Sequence, residues 1–138
     1  MGERKSIKVL VSVIGLDGHS TGAEVVSKML MDAGMEVVYL GIYQTPEMIV
    51  QAAIQEDVDV IGISSHASNY GQIMELLELL KKHQLEDIQV ICGGTIPSNQ
   101  VRELKKKGVS EIFLPQSTST EIVEYLVSHG KRSHRLAS

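Results

Sequence analysis

Five short runs of apolar, largely β-branched residues constrain this chain more than any other feature: Ile7 to Ile14, Met35 to Leu40, Val58 to Ile63, Ile88 to Cys92 and Glu111 to Leu114. Each run is followed by polar or glycine residues and then by a stretch with helical hydrophobic period, so the chain reads as five strand–helix units. The segments VLVSVI and VDVIGI are almost continuously apolar, as strands must be when helices cover both faces of their sheet. A parallel sheet in an α/β fold is the natural result.

The first helix is expected to open at Ser20 or Thr21, where a hydroxyl can cap free backbone N–H groups, to bury Val25, Val26, Met29, Leu30 and Ala33, and to end at Gly34. Later helices are expected to start near Pro46, Asn69, Pro97 and Ser119. Five such units in one open sheet fit the flavodoxin-like strand order 2-1-3-4-5, with helices on both faces. In that order ligands sit beyond the carboxyl ends of the strands, at the topological switch point.

The 138 residues make a single domain, residues 1–138, with a core from about 7 to 127 and a basic tail over 129–138 that reads as a frayed, solvated end. They are too few for a barrel enzyme, which takes about 250 residues. Seventeen acidic against thirteen basic residues give a net charge of -4, which argues against nucleic acid as a partner. No apolar segment is long enough for a membrane span or a signal peptide, and the single cysteine, Cys92, lies in a buried-strand pattern, so a cytoplasmic location is expected.

The loops that follow the strands are rich in small and hydroxyl residues. After strand one comes Gly15-Leu16-Asp17-Gly18-His19-Ser20-Thr21-Gly22, after strand three Ser64-Ser65-His66-Ala67-Ser68, after strand four Gly93-Gly94-Thr95, and after strand five Pro115-Gln116-Ser117-Thr118. A phosphoacceptor receiver would need clustered carboxylates at the ends of strands one and three, and strand three ends in Ser64. A flavin would need aromatic side chains to stack on its ring, for which only Tyr43 and Tyr70 lie near the rim. Gly15, Gly18 and Gly22 do not have the spacing of a dinucleotide fingerprint.

Asp17 and His19 are the sharper feature. A loop histidine two residues from a carboxylate can present one ring nitrogen outward while the other donates to the carboxylate, an arrangement suited to a metal ligand or a general base. An isolated D-x-H also suits a plain surface histidine beside a capping aspartate. Gly22 shifts the balance, because a glycine in the first helical turn costs stability unless something large must approach the backbone.

Asp17-x-His19-x-x-Gly22, with Ser64-x-His66 and Gly93-Gly94 at the ends of strands three and four, resembles the cobalamin-binding domain of base-off/His-on B12 enzymes. The resemblance runs from Ile7 to about Val127. The stretches QTPEMIVQAAIQEDVDVIGISS and GGTIP look most like the B12 domains of acyl-CoA mutases acting on methylmalonyl-CoA, isobutyryl-CoA or 2-hydroxyisobutyryl-CoA. It implies that His19 is the lower axial ligand to cobalt in place of the cofactor's own base, with Asp17 behind it. The displaced nucleotide tail would run into a cleft where Ser64 hydrogen-bonds it, Gly22, Gly93 and Gly94 leave room, and Ser117 and Thr118 make further contacts. Gly18, Ser20, Thr21, Ser65, His66 and Thr95 complete the expected cofactor-binding set.

Three positions depart from the family pattern: His66 stands for a leucine, Val13 for a lysine frequent in methylmalonyl-CoA mutases, and Pro115-Gln116-Ser117-Thr118 for a G-P-G-T-like loop. Methyl-transferring corrinoid proteins carry a helical segment ahead of this domain, and strand one here begins at Ile7. The resemblance therefore implies an adenosylcobalamin-dependent mutase small subunit, weakly tilted toward the 2-hydroxyisobutyryl-CoA type. It would work with a large TIM-barrel subunit that binds acyl-CoA, as a heterotetramer of two large and two small subunits. A glutamate mutase small subunit, or a corrinoid carrier or sensor without mutase activity, are the alternatives.

Overall fold

The five apolar runs pair side by side, all parallel, in one sheet of order β2-β1-β3-β4-β5. In this computed structural model, which describes residues 6–14, 21–65, 70–115 and 117–130, the elements alternate as β1 (Lys8–Ile14), α1 (Thr21–Asp32), β2 (Glu36–Gln44), α2 (Pro46–Glu56), β3 (Val60–Ser65), α3 (Tyr70–Lys82), β4 (Gln89–Gly94), α4 (Ser98–Lys107), β5 (Glu111–Phe113) and α5 (Ser119–His129). The architecture is the flavodoxin-like one expected.

Alternation along the strands divides the interior into two cores. Leu10, Ile14, Ile61, Ile63, Val90 and Cys92 point to the face covered by α2, α3 and α4, where Ile49, Ile73, Leu76 and Leu104 meet them. Val9, Val11, Val13, Val60 and Ile91 point to the other face, against Ala23 and Leu30 of α1 and Leu126 of α5. Buried Asp59 ties the sheet at its amino end, its carboxylate accepting from the Lys8 N–H at 2.8 Å.

β2, β3 and β4 end later than their apolar runs do, β1 ends at Ile14 with its run, and β5 ends one residue early, at Phe113. β3 continues through Ser64 and Ser65 because its pairing with Gly93 and Gly94 of β4 continues, and the ladder bonds belong to the backbone rather than to side chains. β2 reaches Gln44 through two register shifts against β1, with Gly41 (φ 92°) and Tyr43 (φ 61°) in left-handed conformation at these bulges.

The buried face of α1 differs from expectation. Ala23, Ser27 and Leu30 are buried, whereas Val25 is 54% exposed and Ala33 is exposed. Residues 23, 27 and 30 share one helical stripe that meets the sheet, with Val26 packed partly buried at its edge and Met29 half-buried at the cleft wall, while Val25 turns to solvent. Gly34 (φ 93°) does end this helix, with Met35 N–H bonding back to Leu30 O at 3.1 Å. α2 is capped by Thr45, whose hydroxyl accepts from Met48 N–H at 3.2 Å, and Pro97 is the N-cap of α4 rather than part of its first turn. α5 extends two residues past Val127 to His129, whose ring stacks on Tyr125 at 4.5 Å, and Gly130 is buried. Among the described residues no helix is long and apolar enough to cross a membrane.

Candidate binding cleft at the sheet rim

Parallel pairing brings the carboxyl ends of all the strands to one rim. In the row nearest that rim Val13 is opposite Ser64, Ser64 opposite Gly93, and Gly93 opposite Phe113. Two residues deeper the row is Val11, Gly62 and Ile91. Because side chains alternate, both rows face α1 and α5. A cleft of about 500 Å³ lies over them, walled by Gly22, Val25, Val26 and Met29 of α1 and by Ile122 of α5.

The cleft gathers many of the candidates read from sequence: Gly22, Ser64, Gly93, Gly94, Thr95 and Ser117 all line it. Others lie elsewhere. Thr21 opens α1 on its exposed side and is not in the lining. Ser65 is fully buried, its hydroxyl has no hydrogen-bond partner, and strand alternation turns it to the opposite face from Ser64. Thr118 caps α5 in a reciprocal box: its hydroxyl accepts from Glu121 N–H at 3.1 Å, and Glu121 accepts from Thr118 N–H at 2.8 Å. Asp17, Gly18, His19, Ser20 and His66 lie outside the described residues.

The glycines separate by what a side chain would meet. At Gly22 a Cβ would find nothing within 4 Å, so its absence keeps the cleft wall open. At Gly93 it would come no nearer than 3.5 Å, to Phe113 O. Gly94 is different: its φ is 120° and a Cβ would overlap the Ser65 carbonyl, so the backbone itself demands glycine there. Ligand clearance, the expected role, is not what constrains that position.

No Asp, Glu, Lys, Arg or His lines the cleft among the described residues, and the same residues hold no group of three or more metal-ligating side chains. Cys92 borders the cleft, but burial pushes its thiol up to about 12, which leaves it protonated and inert at neutral pH. The chemistry offered is binding: hydroxyls at the mouth, hydrocarbon within, and bare backbone where a ligand can approach closely.

Residues 7–124 match the family model for the B12 binding domain. The chain belongs to the B12-binding domain family. This B12-binding domain is 41% identical over 129 residues to the pivalyl-CoA mutase small subunit of Xanthobacter autotrophicus, a match covering 94% of this chain and 87% of that one. It is 38% identical over 127 residues to the 2-hydroxyisobutanoyl-CoA mutase small subunit of Aquincola tertiaricarbonis, covering 91% and 93%. Methylmalonyl-CoA mutase of Rhizobium meliloti is 42% identical over 109 residues, which are 78% of this chain but 15% of that one. In fold, a cobalamin-binding protein from Desulfitobacterium hafniense DCB-2 superposes with a TM-score of 0.79 at 22% identity, over 90% of this chain and 59% of that chain.

The described lining of the B12-binding domain suits such a cofactor. A cobalamin tail is a phosphate and a sugar ending in an aromatic base, and it needs hydroxyl partners first and apolar surface beyond. Ser64 and Ser117 supply the former, Val11, Ile91 and Met29 the latter, and Gly22 leaves the wall open. Gly62, Phe113 and Ile122 also line the cleft and were not singled out from sequence. Gly62 had a signal, since a glycine interrupting a β-branched run marks a close approach of something to the strand. Phe113 and Ile122 had none, because their places depend on how β5 pairs with β4 and how α5 packs on the sheet.

Proposed function

We propose that this chain is the adenosylcobalamin-binding small subunit of a heteromeric carbon-skeleton acyl-CoA mutase. The observation that carries the reading is the match along 94% of the chain to 87% of a mutase small subunit. A second such subunit matches almost as fully. Pivalyl-CoA and 2-hydroxyisobutanoyl-CoA, named for these two relatives, share an acyl group whose α-carbon bears no hydrogen. That shared chemistry, together with the sequence's own tilt toward the 2-hydroxyisobutyryl type, supports a substrate of this class.

When bound, adenosylcobalamin supplies a cobalt–carbon bond weak enough to break homolytically, and with it the organic radical that starts a skeletal rearrangement. This chain's part is to hold and orient. His19 would hold the cobalt through one ring nitrogen and Asp17 would accept its other ring N–H, which would fix the tautomer and raise the basicity of the ligating nitrogen. Ser64 and Ser117 meet the polar part of the tail, and Gly22 and Gly93 admit it. Gly94 holds the bend at the end of β4 from which Thr95 faces the cleft mouth. Thr118 caps α5 beside Ser117. Gly18, Ser20 and His66 remain assigned to the cofactor's surroundings by resemblance, whereas Thr21 and Ser65 lie outside the cleft lining.

The acyl-CoA would bind a separate large subunit, built as a TIM barrel that would close over the bound cofactor, in a heterotetramer of two large and two small chains. That this chain corresponds to 15% of a methylmalonyl-CoA mutase supports a division of labour between binding and catalysis. A cytoplasmic site of action accords with a CoA-thioester substrate and a lone reduced cysteine.

Titrating the purified chain with cobalamin while recording the visible spectrum tests the assignment. Wild type is expected to bind in the base-off, histidine-ligated form, and His19→Ala to lose at least tenfold in affinity and the histidine-ligated signature. Undiminished affinity in His19→Ala, with full turnover beside a large subunit, overturns it.

A further inference from the structure

At the opposite end of the sheet from the rim, and on its other face, a second cavity of about 260 Å³ opens between α3 and α4. Its floor is core: Leu80, Ile88 and Val90 are each no more than 3% exposed, with Leu77 beside them. Gly108, just past the end of α4, borders the cavity too. Its φ of 129° demands glycine, and as a result no side chain fills the space between that helix end and Leu77. Water standing over such a floor is released when hydrocarbon replaces it.

The mouth is charged. Lys81 from the last turn of α3 and Lys107 from the last turn of α4 line it, with Glu86 from the loop that leads into β4. Lysines in a last helical turn suit the helix dipole wherever they point, and Lys82, Lys105 and Lys106 do that as well. Lys105 is taken up by Glu111. Lys81 and Lys107 differ: both border the cavity, and neither has a carboxylate within ion-pair distance among the described residues. Two ammonium groups against one carboxylate leave the mouth positive above an apolar floor.

We propose that this cavity binds a small organic anion, a carboxylate with a short hydrocarbon body, at a site separate from the rim cleft. The carboxylate sits between the Lys81 and Lys107 ammonium groups, whose flexible stems carry the charge out to the mouth. The body lies on Leu77, Leu80 and Ile88. At about 260 Å³ the space falls below the range of pockets that take drug-sized molecules, which limits the occupant to a small one. Glu86 opposes the anionic head and so weakens binding without reversing the preferred charge.

The test is an amide-resolved NMR titration of the full chain with three probes: hexanoate, hexylammonium with the same body and opposite charge, and acetate with the same head and almost no body. Hexanoate is expected to give saturable shifts at Lys81, Glu86, Ile88 and Gly108, and to bind at least tenfold more tightly than either other probe. The double variant Lys81→Gln, Lys107→Gln is expected to lose at least tenfold in hexanoate affinity, and Glu86→Gln to gain about twofold or more. No saturable shift at those amides, or shifts confined to Gly22 and Gly93, overturns the site. Equal or tighter binding of hexylammonium, or weaker hexanoate binding in Glu86→Gln, overturns the charge assignment. Undiminished hexanoate affinity in the double variant overturns the role of the lysines, and equal affinity for acetate overturns that of the hydrocarbon floor.

Discussion

Gly22 and Gly94 look alike in sequence and do opposite work. Gly94→Ala drives a methyl group into the Ser65 carbonyl at a φ of 120°, and is expected to destabilise the fold by more than about 3 kcal/mol in urea unfolding. Gly22→Ala meets nothing within 4 Å and adds a better helix former, so the unliganded chain should gain a few tenths to about 1 kcal/mol while cobalamin affinity falls. Chemical denaturation and spectral titration on the same two proteins check both expectations. Asp17 with His19, proposed as the ligand motif, stands out in the sequence by residue type and spacing alone, and both lie outside the described residues. The separate tasks of the glycines do not: whether a Cβ has room depends on which strand lies across from it, and Ser65 reaches Gly94 through the β3–β4 pairing.

Among the elements, β5 is the shortest strand, with three residues, and it is tied to α4 by Lys105, whose Nζ lies 2.7 Å from Glu111 Oε1. That hydrogen bond holds the Glu111 carboxyl below its ordinary value of 4.5, aided by the Ile112 N–H. A carboxyl whose pKa is lower in the folded chain stabilises it above the unfolded pKa, and the contribution fades as pH falls through the folded value. Glu111→Gln should therefore flatten the loss of thermal stability below about pH 4.5. At neutral pH it should cost less than about 1 kcal/mol, since the pair is partly exposed. Melting temperatures measured from pH 3 to 7 are the check. At the start of α5 the Thr118 box joins the strand-five loop to its helix, and Thr118→Ala is expected to cost about 1 kcal/mol. Strand and helix identities followed from hydrophobic period alone. The late ends of β2, β3 and β4 did not, because ladder pairing and the bulges at Gly41 and Tyr43 carry a strand past its apolar run.

At the scale of the whole molecule, one sheet with two cores carries at its rim a cleft that no charged side chain lines among the described residues, and its hydroxyls and hydrocarbon suit the holding of a ligand. Turnover is accordingly expected only when this chain is mixed with a large mutase subunit. Size-exclusion chromatography with cobalamin and acyl-CoA should then show a complex larger than either chain. A fully active isolated chain, or a large subunit fully active without it, would refute the division of labour. The alternation of apolar runs with helical periods was enough to specify the sheet, its parallel pairing and its strand order, since strands buried on both faces and linked by helices have few other ways to pair. It was enough as well to name the rim loops. The depth and lining of the cleft, the stripe of α1 that meets the sheet, and the difference between Ser64 facing the cleft and Ser65 buried behind it arose from packing. Each depends on a register between segments distant in the chain, and a shift of one residue would send every side chain to the other face.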